Sequence, residues 1–302
     1  MKIVFLGTGG TYPSKFRNVT SVAVQLPGEV LMFDCGEGTQ RQLMYSSVSF
    51  MKISKIFISH LHADHFLGLP GLIQSMSLNG REEPLQVYGP EGTAEDVESM
   101  LGLGYFKCGF EVQAKDLEAG SELDFKTYSI KCVRADHTIP SLAYSLEEKT
   151  RPGKFDLRKA KKLGIPEGPL YRKLQGGKAI NVGGKRVEPE AVLGPRRPGR
   201  KIVYTGDTKP SREIVRLSAG ADVLIHDCTL DSTHATLASD FGHSTAAEAG
   251  RVAKDAKVGM LFLVHFSPRY DSGEILEKEA RKVFKNTKAA EDLAEYSVRY
   301  RD

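Results

Sequence analysis

The stretch that most constrains this chain is "ISHLHADHF", residues 58–66, which has three histidines and an aspartate within six positions. The whole chain has only eight histidines, so this density requires a cause. The preceding "KIFIS" is rich in β-branched and aromatic residues, which predicts a buried strand. The residues that follow return to helical spacing. The cluster is therefore expected at the junction of a strand and a helix.

These four side chains suit metal binding. His60 and His62 are two residues apart, so in extended backbone they point to the same side. Asp64 and His65 then follow a turn, at the start of the next helix. Neutral imidazoles are good zinc ligands, and carboxylates bridge or complete such sites. One ion cannot conveniently take four ligands from six residues, whereas two adjacent ions can, which predicts further ligands elsewhere.

Three further candidates end other apolar strands. His137 ends "SIKCVRADH", Asp207 ends "KIVYTGD" and His265 ends "MLFLVH". Any one alone is more typical of a loop hydrogen bond, but together with the cluster they predict one metal-lined rim. Two ions roughly 3.5–4 Å apart supply a nucleophile and neutralise phosphate charge. The reaction type is therefore hydrolysis, of a phosphodiester or of a lactam, thioester or lactone.

The remaining histidines allow alternatives. His226 lies inside "VLIHDCTL", where a structural hydrogen bond is as reasonable as any other role, and His234 lies in a predicted loop. His243 in "GHST" precedes a helix that Ser244 or Thr245 could cap. Its imidazole is then free to act as a general acid in the site, or it is itself a helix cap or a surface group.

The order of the elements predicts the fold class. Short apolar strands followed by βα units occur up to about residue 150 and again after residue 200. This predicts one α/β domain over residues 1–302, a four-layer αββα sandwich with two packed sheets and helices outside. Within it, Thr93 is placed to cap the helix "TAEDVESML". Residues 110–137 are expected to form a three-stranded meander.

Residues 151–200 interrupt this pattern. They contain fifteen of the chain's glycines and prolines, fourteen of its 42 lysines and arginines, and only four of its 38 acidic residues. "KFDLRKAKKLG" predicts a basic helix, while "IPEGPL" and "GPRRPGR" predict turns. One alternative is a disordered insertion. The other is an arm that folds around its apolar residues Leu157, Leu163, Leu170, Tyr171 and Leu174.

Composition excludes some classes of protein. No stretch has the eighteen or more apolar residues of a membrane helix, so no membrane partner is expected. "MKIVFLGTGG" predicts a strand rather than a signal peptide. The four cysteines are far apart with no CxxC pair, which argues against disulfide frameworks and thiolate zinc sites and favours the cytoplasm.

At this point the motifs resemble a known family. "HLHADH" matches the HxHxDH signature of the metallo-β-lactamase superfamily. "FDCGEGTQRQL" (33–43) resembles the opening motif of ribonuclease Z, the tRNA 3′-processing endonuclease, and "PSKFRN" (13–18) its PxKxRN loop near the end of the acceptor stem. "GIPEGPLYRKLQ" (164–175) resembles the Gly-Pro motif of its exosite arm, and "GHST" its histidine-bearing loop. The resemblance spans essentially the whole chain.

The resemblance implies the short form of the enzyme, usually a homodimer with two Zn²⁺ per subunit. It implies that one ion is held by His60, His62 and His137. It implies that the other is held by Asp64, His65 and His265, with Asp207 bridging the two ions.

The resemblance also implies roles in catalysis and binding. Asp64 is in addition the proton acceptor, and His243 donates a proton to the leaving oxygen. Substrate contacts are implied for Lys15, Arg17 and Asn18 of the loop and for Gly168 and Pro169 of the arm. One departure is "HDCT" (226–229), where relatives commonly have HEAT, so that Asp227 supplies a carboxylate one methylene shorter.

The implied reaction is cleavage of precursor tRNA after the discriminator base, leaving a 3′-hydroxyl. A basic arm agrees with this, because cations must replace the counterions along RNA phosphates. A general binuclear-zinc phosphodiesterase, or a metallohydrolase of small esters or lactones, would explain the metals but not the arm. A non-catalytic RNA-binding module would need saturated zinc sites, whereas seven ligands for two ions leave room for solvent.

Overall fold

The computed structural model describes residues 1–301. Its strands are β1 (Lys2–Gly7), β2 (Ser21–Leu26), β3 (Glu29–Phe33), β4 (Ile53–Phe57), β5 (Leu85–Gly89), β6 (Val112–Asp116), β7 (Glu122–Asp124), β8 (Tyr128–Arg134), β9 (Leu142–Glu148), β10 (Ile180–Val182), β11 (Lys185–Val187), β12 (Lys201–Tyr204), β13 (Val223–Asp227), β14 (Met260–Val264), β15 (Thr287–Ala289) and β16 (Glu295–Ser297). Its helices are α1 (Thr39–Tyr45), α2 (Ala63–Phe66), α3 (Leu69–Leu78), α4 (Thr93–Leu101), α5 (Leu157–Lys162), α6 (Pro169–Gln175), α7 (Arg212–Ser218), α8 (Ala235–Asp240), α9 (Ala246–Asp255) and α10 (Glu274–Val283). None of the helices in residues 1–301 is both long and apolar enough to cross a membrane.

Two seven-stranded sheets form the body of the molecule. The first has the order β16-β1-β2-β3-β4-β5-β6 and the second the order β15-β14-β13-β12-β9-β8-β7. Both faces of the central strands are buried, so alternate residues enter different cores. In β1, Ile3 and Phe5 face the second sheet, whereas Val4 and Leu6 belong to the core that Leu43 of α1 also enters. Helices α7, α9 and α10 cover the second sheet in the same way, which confirms the four-layer sandwich.

Parallel pairing brings strand ends to one rim. Strands β3 to β6 pair in parallel in the first sheet, and β12 to β15 do so in the second. Carboxyl ends of parallel strands lie at the same edge, where open α/β sheets bind their ligands. The two sheets present these edges together, so the loops after β4, β12 and β14 converge.

Two local predictions are wrong. The expected meander is divided between the sheets, because β6 pairs with β5 in the first sheet and β7 pairs with β8 in the second. Thr93 does not cap α4, since its hydroxyl donates to the carbonyl of Pro90. The carboxylate of Asp116 accepts the hydrogen bonds from the amides of Gly92 and Ala94 instead, at 3.0 and 2.8 Å. A cap supplied from another element leaves no local sequence signal.

Residues 151–200 form an arm with its own small core. The core contains Tyr171 and Leu174, as expected, but Leu157 and Leu163 are 55% and 46% exposed. The core also contains Ala160 of α5 and four residues outside the helices: Ile165, Ile180, Val187 and Val192. Asp156 caps the basic helix α5, and the predicted turn at "IPEGPL" gives way to helix α6 at Pro169.

The two ends of the arm meet at one point of the body. Arg151 pairs with Arg197 through backbone hydrogen bonds of 2.8 and 2.9 Å. The guanidinium group of Arg200 donates two hydrogen bonds to the carboxylate of Glu148, at 2.6 and 2.8 Å. The ring of Tyr300 stacks against both guanidinium groups, 3.4 Å from that of Arg151 and 4.0 Å from that of Arg200. The segment after β16 therefore fastens the arm at its root.

Candidate metal centre

The rim brings together every side chain that the sequence singled out as a metal ligand. His60 follows β4, His137 follows β8, Asp207 follows β12 and His265 directly follows β14. His62 precedes α2, which carries Asp64 and His65. Their donor atoms fall into groups in which all atoms lie within 4.8 Å of one another. Residues up to 205 positions apart thus meet because their strands end at the same edge.

The first group contains three imidazoles. Nε2 of His60 lies 3.0 Å from Nδ1 of His62, which lies 3.2 Å from Nε2 of His137. Oδ2 of Asp207 is 3.6 Å from His60 Nε2 and 4.0 Å from His137 Nε2. Ligands at about 2.0–2.1 Å from a tetrahedral zinc ion are separated by roughly 3.3 Å. The spacing of this group matches such a site.

The second group contains Asp64, His65 and His265. Oδ2 of Asp64 lies 3.6 Å from His65 Nε2 and 3.2 Å from His265 Nε2. The same Oδ2 of Asp207 that faces the first group lies 3.4 Å from His65 Nε2 and 3.2 Å from His265 Nε2. One carboxylate therefore stands between the two groups, in the position that a bridging ligand requires.

Two buried atoms support metal binding at this cluster. Nε2 of His65 and Oδ1 of Asp207 are buried without a hydrogen-bond partner. A buried polar atom left in this state costs free energy unless a ligand satisfies it. Both atoms belong to side chains aimed into the cluster, and imidazole nitrogen with carboxylate oxygen is a donor set for zinc. The residues present therefore fit a bound cation.

Two buried carboxylates orient the histidines from behind. Asp34 accepts a hydrogen bond of 2.6 Å from His65 Nδ1 and one of 2.7 Å from Ser59 Oγ, which in turn lies 3.0 Å from His60 Nδ1. Asp227 accepts from Thr229 Oγ1 at 2.7 Å, and Thr229 Oγ1 lies 2.9 Å from Nδ1 of His265. Such outer partners fix the tautomer that leaves the other ring nitrogen free to bind metal.

Sequence reasoning missed Asp34. It directly follows β3, so the strand-end rule that singled out Asp207 applied to it equally. Its left-handed φ of 59° turns the chain, and the carboxylate is completely buried. His265 has a similar φ of 63°, and a side chain at Gly10 would meet its ring. Strained backbone at two strand ends is typical of functional sites.

His243 lies at the edge of the cluster, beside Asp227. Thr245 is the helix cap, with a full capping box to Glu248, so the imidazole of His243 does not cap α9. Its Nδ1 lies 3.0 Å from Oδ2 of Asp227 and 3.8 Å from Oδ2 of Asp207. The shortened carboxylate of Asp227 therefore still reaches this histidine. His226 is buried, with Nδ1 2.8 Å from the carbonyl of Asp227, as a structural group would be.

The charges of the cluster are strongly coupled. Burial and the neighbouring imidazoles lower the pKa of His60. Burial also opposes the charged form of His65, but the carboxylates, Asp207 first, raise its pKa above the ordinary value. Burial acts against ionised Asp64 and Asp207, yet the surrounding imidazoles hold the pKa of both carboxyls low. The carboxylates are thus ionised and available to a cation.

The pKa of His243 is raised to about 9, because Asp227 outweighs the opposing effect of burial. The raised pKa favours the protonated imidazole, which can donate a proton. His243 lines a cavity of about 720 Å³ together with Asp64, His62 and His265. A cavity of this size accommodates a nucleotide-sized group.

The "PSKFRN" loop begins two residues after Thr11, which lines this cavity and whose amide donates to Asp64 Oδ2 at 2.6 Å. Lys15 is exposed. Arg17 instead points inward, donating to Thr8 Oγ1 at 2.6 Å and stacking on Phe266. The side chain of Asn18 donates to the carbonyl of Glu37 at 2.9 Å. Gly168 and Pro169 begin α6 in the arm, where Gly168 has a φ of 125°.

Comparisons with known proteins agree with this architecture. Residues 1–151 match the family model "Anti-Pycsar protein Apyc1", and residues 178–266 match "Beta-lactamase superfamily domain". Over its full length the chain is 50% identical to ribonuclease Z of Methanosarcina mazei, covering 99% of that protein. The chain belongs to the ribonuclease Z family. The family assignment depends on such full-length relatives, because each model covers only part of the chain.

Other members of the ribonuclease Z family give the same result. The protein from Methanothermobacter thermautotrophicus is 45% identical over all of this chain and 98% of its own length. The crystal structure of the short form of human tRNase Z is 30% identical, with a TM-score of 0.73 over 99% of this chain and 100% of that one. The Bacillus subtilis protein YhfI, 21% identical with a TM-score of 0.70 over 98% of each chain, shares the metallo-β-lactamase fold.

Proposed function

We infer that this chain is an endoribonuclease that cleaves precursor tRNA after the discriminator base, removing the 3′ trailer and leaving a 3′-hydroxyl. One observation carries this conclusion: in a chain that matches ribonuclease Z along its whole length, two groups of metal-donor atoms share Asp207 beside an open cavity. The cavity gives a phosphodiester access to both groups.

We propose that the resident cofactor is a pair of Zn²⁺ ions per subunit. Nitrogen and carboxylate donors without thiolates suit zinc at both positions. His60, His62 and His137 would hold one ion, Asp64, His65 and His265 the other, and Asp207 both. Bound there, the ions would supply a water nucleophile at neutral pH and neutralise phosphate charge.

The protein's own groups handle the protons. Oδ2 of Asp64 accepts a hydrogen bond of 2.6 Å from the amide of Thr11 and lies 3.2 Å from Nε2 of His265, the other donor atom of its group. This leaves its other oxygen, Oδ1, to accept the proton of the attacking water. His243, kept protonated and oriented by Asp227, donates a proton to the 3′-oxygen as the P–O bond breaks. Proton removal and donation thus occur at opposite ends of the displacement.

The loop and the arm are proposed to bind tRNA. Lys15 is free to contact the RNA terminus, while Arg17 and Asn18 contribute by holding the loop in shape from within. The arm, residues 151–200, carries a third of the chain's basic residues, which suits phosphate binding away from the rim. Gly168 and Pro169 are placed at the start of α6, where the arm would meet the tRNA elbow.

We further propose a homodimer in the cytoplasm. Helices α1 and α3 expose Met44, Tyr45 and Leu78, which are 58%, 61% and 82% accessible, and an apolar surface of this kind favours a protein partner. All four cysteines are free, as a reducing compartment maintains them. Light scattering of the purified protein tests the dimer, and a monomer at micromolar concentration would contradict it.

The experiment that separates the candidate functions compares three substrates. Precursor tRNA with a 3′ trailer, a chromogenic phosphodiester and a small lactone are incubated with the same zinc-loaded protein. A tRNA-processing enzyme should have by far the highest kcat/KM on the precursor. A general phosphodiesterase would prefer the chromogenic diester, an esterase the lactone, and a non-catalytic RNA-binding module would bind the precursor without cleaving it.

A further inference from the structure

One wall of the metal-lined cavity is apolar and has no part in the hydrolysis described above. It consists of Phe241, Leu237 and Leu230, which line the cavity together with His243 and Asp207. Phe241 is 60% exposed although it stands beside a charged cluster. Water wets an isolated exposed phenylalanine poorly, so an aromatic ring at the mouth of a nucleotide-sized cavity favours an apolar or aromatic group of the substrate.

Hydrogen bonds hold the backbone around Phe241 next to the metal cluster. Phe241 follows α8, and its amide donates to the carbonyl of Leu237 at 3.2 Å. The next residue, Gly242, has a φ of 75°, and its carbonyl accepts a 2.8 Å hydrogen bond from Nδ1 of His137. A Cβ atom at position 242 would lie only 2.7 Å from that same nitrogen. Glycine therefore allows the backbone to pass this close to His137. The position of Phe241 is thus set relative to a metal-binding histidine.

We propose that Phe241 is a stacking platform for the discriminator base, the base of the nucleoside that carries the leaving 3′-oxygen. The proposal rests on the function proposed above. His243 gives its proton to that oxygen, so the ribose that holds the oxygen must lie next to His243. Phe241 is two residues away and lines the same cavity, within reach of the base attached to that ribose.

Stacking suits this nucleotide for two reasons. Bases at the single-stranded 3′ end of an RNA are open to stack on aromatic side chains. Stacking accepts any base because every base has a π face, so one residue can serve tRNAs whose discriminator bases differ. The first trailer nucleoside is joined to the phosphate through its 5′-oxygen, which is not the oxygen that His243 serves. Its base is therefore not the expected partner of Phe241.

The test pairs a protein variant with an abasic substrate. Wild type and Phe241→Ala are each assayed on intact precursor tRNA, on precursor abasic at the discriminator position, and on precursor abasic at the first trailer position. Loss of one stacked base should lower kcat/KM by roughly 5- to 150-fold. Phe241→Ala should show that loss on intact precursor, and removing the discriminator base should then cause little further loss. Phe241→Tyr keeps an aromatic face and should behave like wild type.

A matched control is Tyr105→Ala, which removes a fully exposed aromatic ring outside the residues that line the cavity. It should leave all three rates unchanged, and zinc content should be the same in every variant. The proposal would be overturned if Phe241→Ala and removal of the discriminator base each lowered kcat/KM independently, so that their combined loss was the product of the two single losses. Coupling of Phe241 to the trailer base instead would also overturn it. If wild type failed to cleave intact precursor, the proposed function itself would be contradicted. This outcome can be distinguished from independent losses and from coupling to the trailer base.

Discussion

A single methylene separates Asp227 from the glutamate that the HEAT motif would supply, yet its contacts are complete. Oδ2 reaches His243 at 3.0 Å and accepts from the amides of Thr208 and Ser244, at 3.1 and 3.2 Å. Because Asp227 is fully buried at the end of β13, the backbone itself brings the shorter side chain within reach. The departure in sequence therefore leaves the histidine–carboxylate pair intact.

Replacing His243 by alanine tests the proton-donor role. The variant should keep its metal content and its affinity for precursor tRNA, while kcat falls by about 10²–10⁴-fold, as for a lost general acid. Asp227→Asn should lower kcat in the same direction, because the imidazole loses the carboxylate that keeps it protonated. Zinc analysis accompanies the kinetics, since a loss of zinc from His243→Ala would make this residue a ligand instead.

Asp34→Asn tests how the histidines are held. An amide facing His65 would donate to Nδ1 and place the ring proton on Nε2, the atom that must bind metal. Metal affinity should fall by about 10–100-fold, measured by competition with a chelator. Tyr204→Phe removes a different hydrogen bond to Asp34 and should change metal affinity little. Equal effects of the two variants would contradict the tautomer argument.

At the scale of residues, the sequence predicted most of the cluster because polar side chains directly after apolar strands are easy to recognise. Asp34 obeyed the same rule and was passed over, since nothing local distinguishes a carboxylate that orients a ligand from one that binds metal. The inward position of Arg17 could not be predicted either. Its contacts, to Thr8 and the carbonyl of Ala290, depend on the packing of a segment 273 residues later.

At the scale of elements, the arm is held to the body by Tyr300, a residue outside the arm. Tyr300 stacks on Arg151 and Arg200, the first and last residues of the arm. Tyr300→Ala should loosen the arm and raise KM for precursor tRNA by roughly 5- to 30-fold, the equivalent of two cation–π contacts, with kcat unchanged. Tyr300→Phe keeps the ring and should resemble wild type. Altered hydrolysis of a small phosphodiester by Tyr300→Ala would show that the effect is not confined to the arm.

Removing the arm tests its role directly. Deletion of about residues 152–198, with a short linker closing the gap, should leave the rim intact. Every ligand lies outside the arm, and the pairing of Arg151 with Arg197 shows that the two ends of the arm are side by side. Hydrolysis of a small phosphodiester should survive, while precursor cleavage collapses. The salt dependence of tRNA binding, with a slope of roughly −0.9 per phosphate contact in a duplex, should become shallower. Normal precursor cleavage with unchanged salt sensitivity would refute tRNA binding by the arm.

Elements were predicted well where periodicity was strong and poorly where partners were distant. The strands from β1 to β5 and the βα units after residue 200 follow from their apolar patterns. The predicted meander makes β6 a neighbour of β7, whereas β6 pairs with β5, since alternation along a strand does not identify its neighbour. Helix α8 gave little signal, with one buried residue, Ala238, in six positions.

For the whole molecule, topology explains why one rim can collect ligands from distant parts of the sequence. Two sheets each place parallel strands with their carboxyl ends at the same edge. Asp34 after β3 and Asp227 at the end of β13 both lie at these edges, one in each sheet, and each orients a histidine of the cluster. The order of the elements along the chain was enough to predict this architecture.

The most direct test of the central claim is to map the 3′ end that the enzyme makes, before and after zinc removal. Precursor tRNA is incubated with zinc-depleted protein, with protein restored to two zinc ions per chain, and with His62→Ala treated in the same way. Only the restored wild type should cleave, at the single bond after the discriminator base, with a 3′-hydroxyl on the tRNA. Equal cleavage by the zinc-depleted protein, or cleavage at scattered positions, would contradict the account.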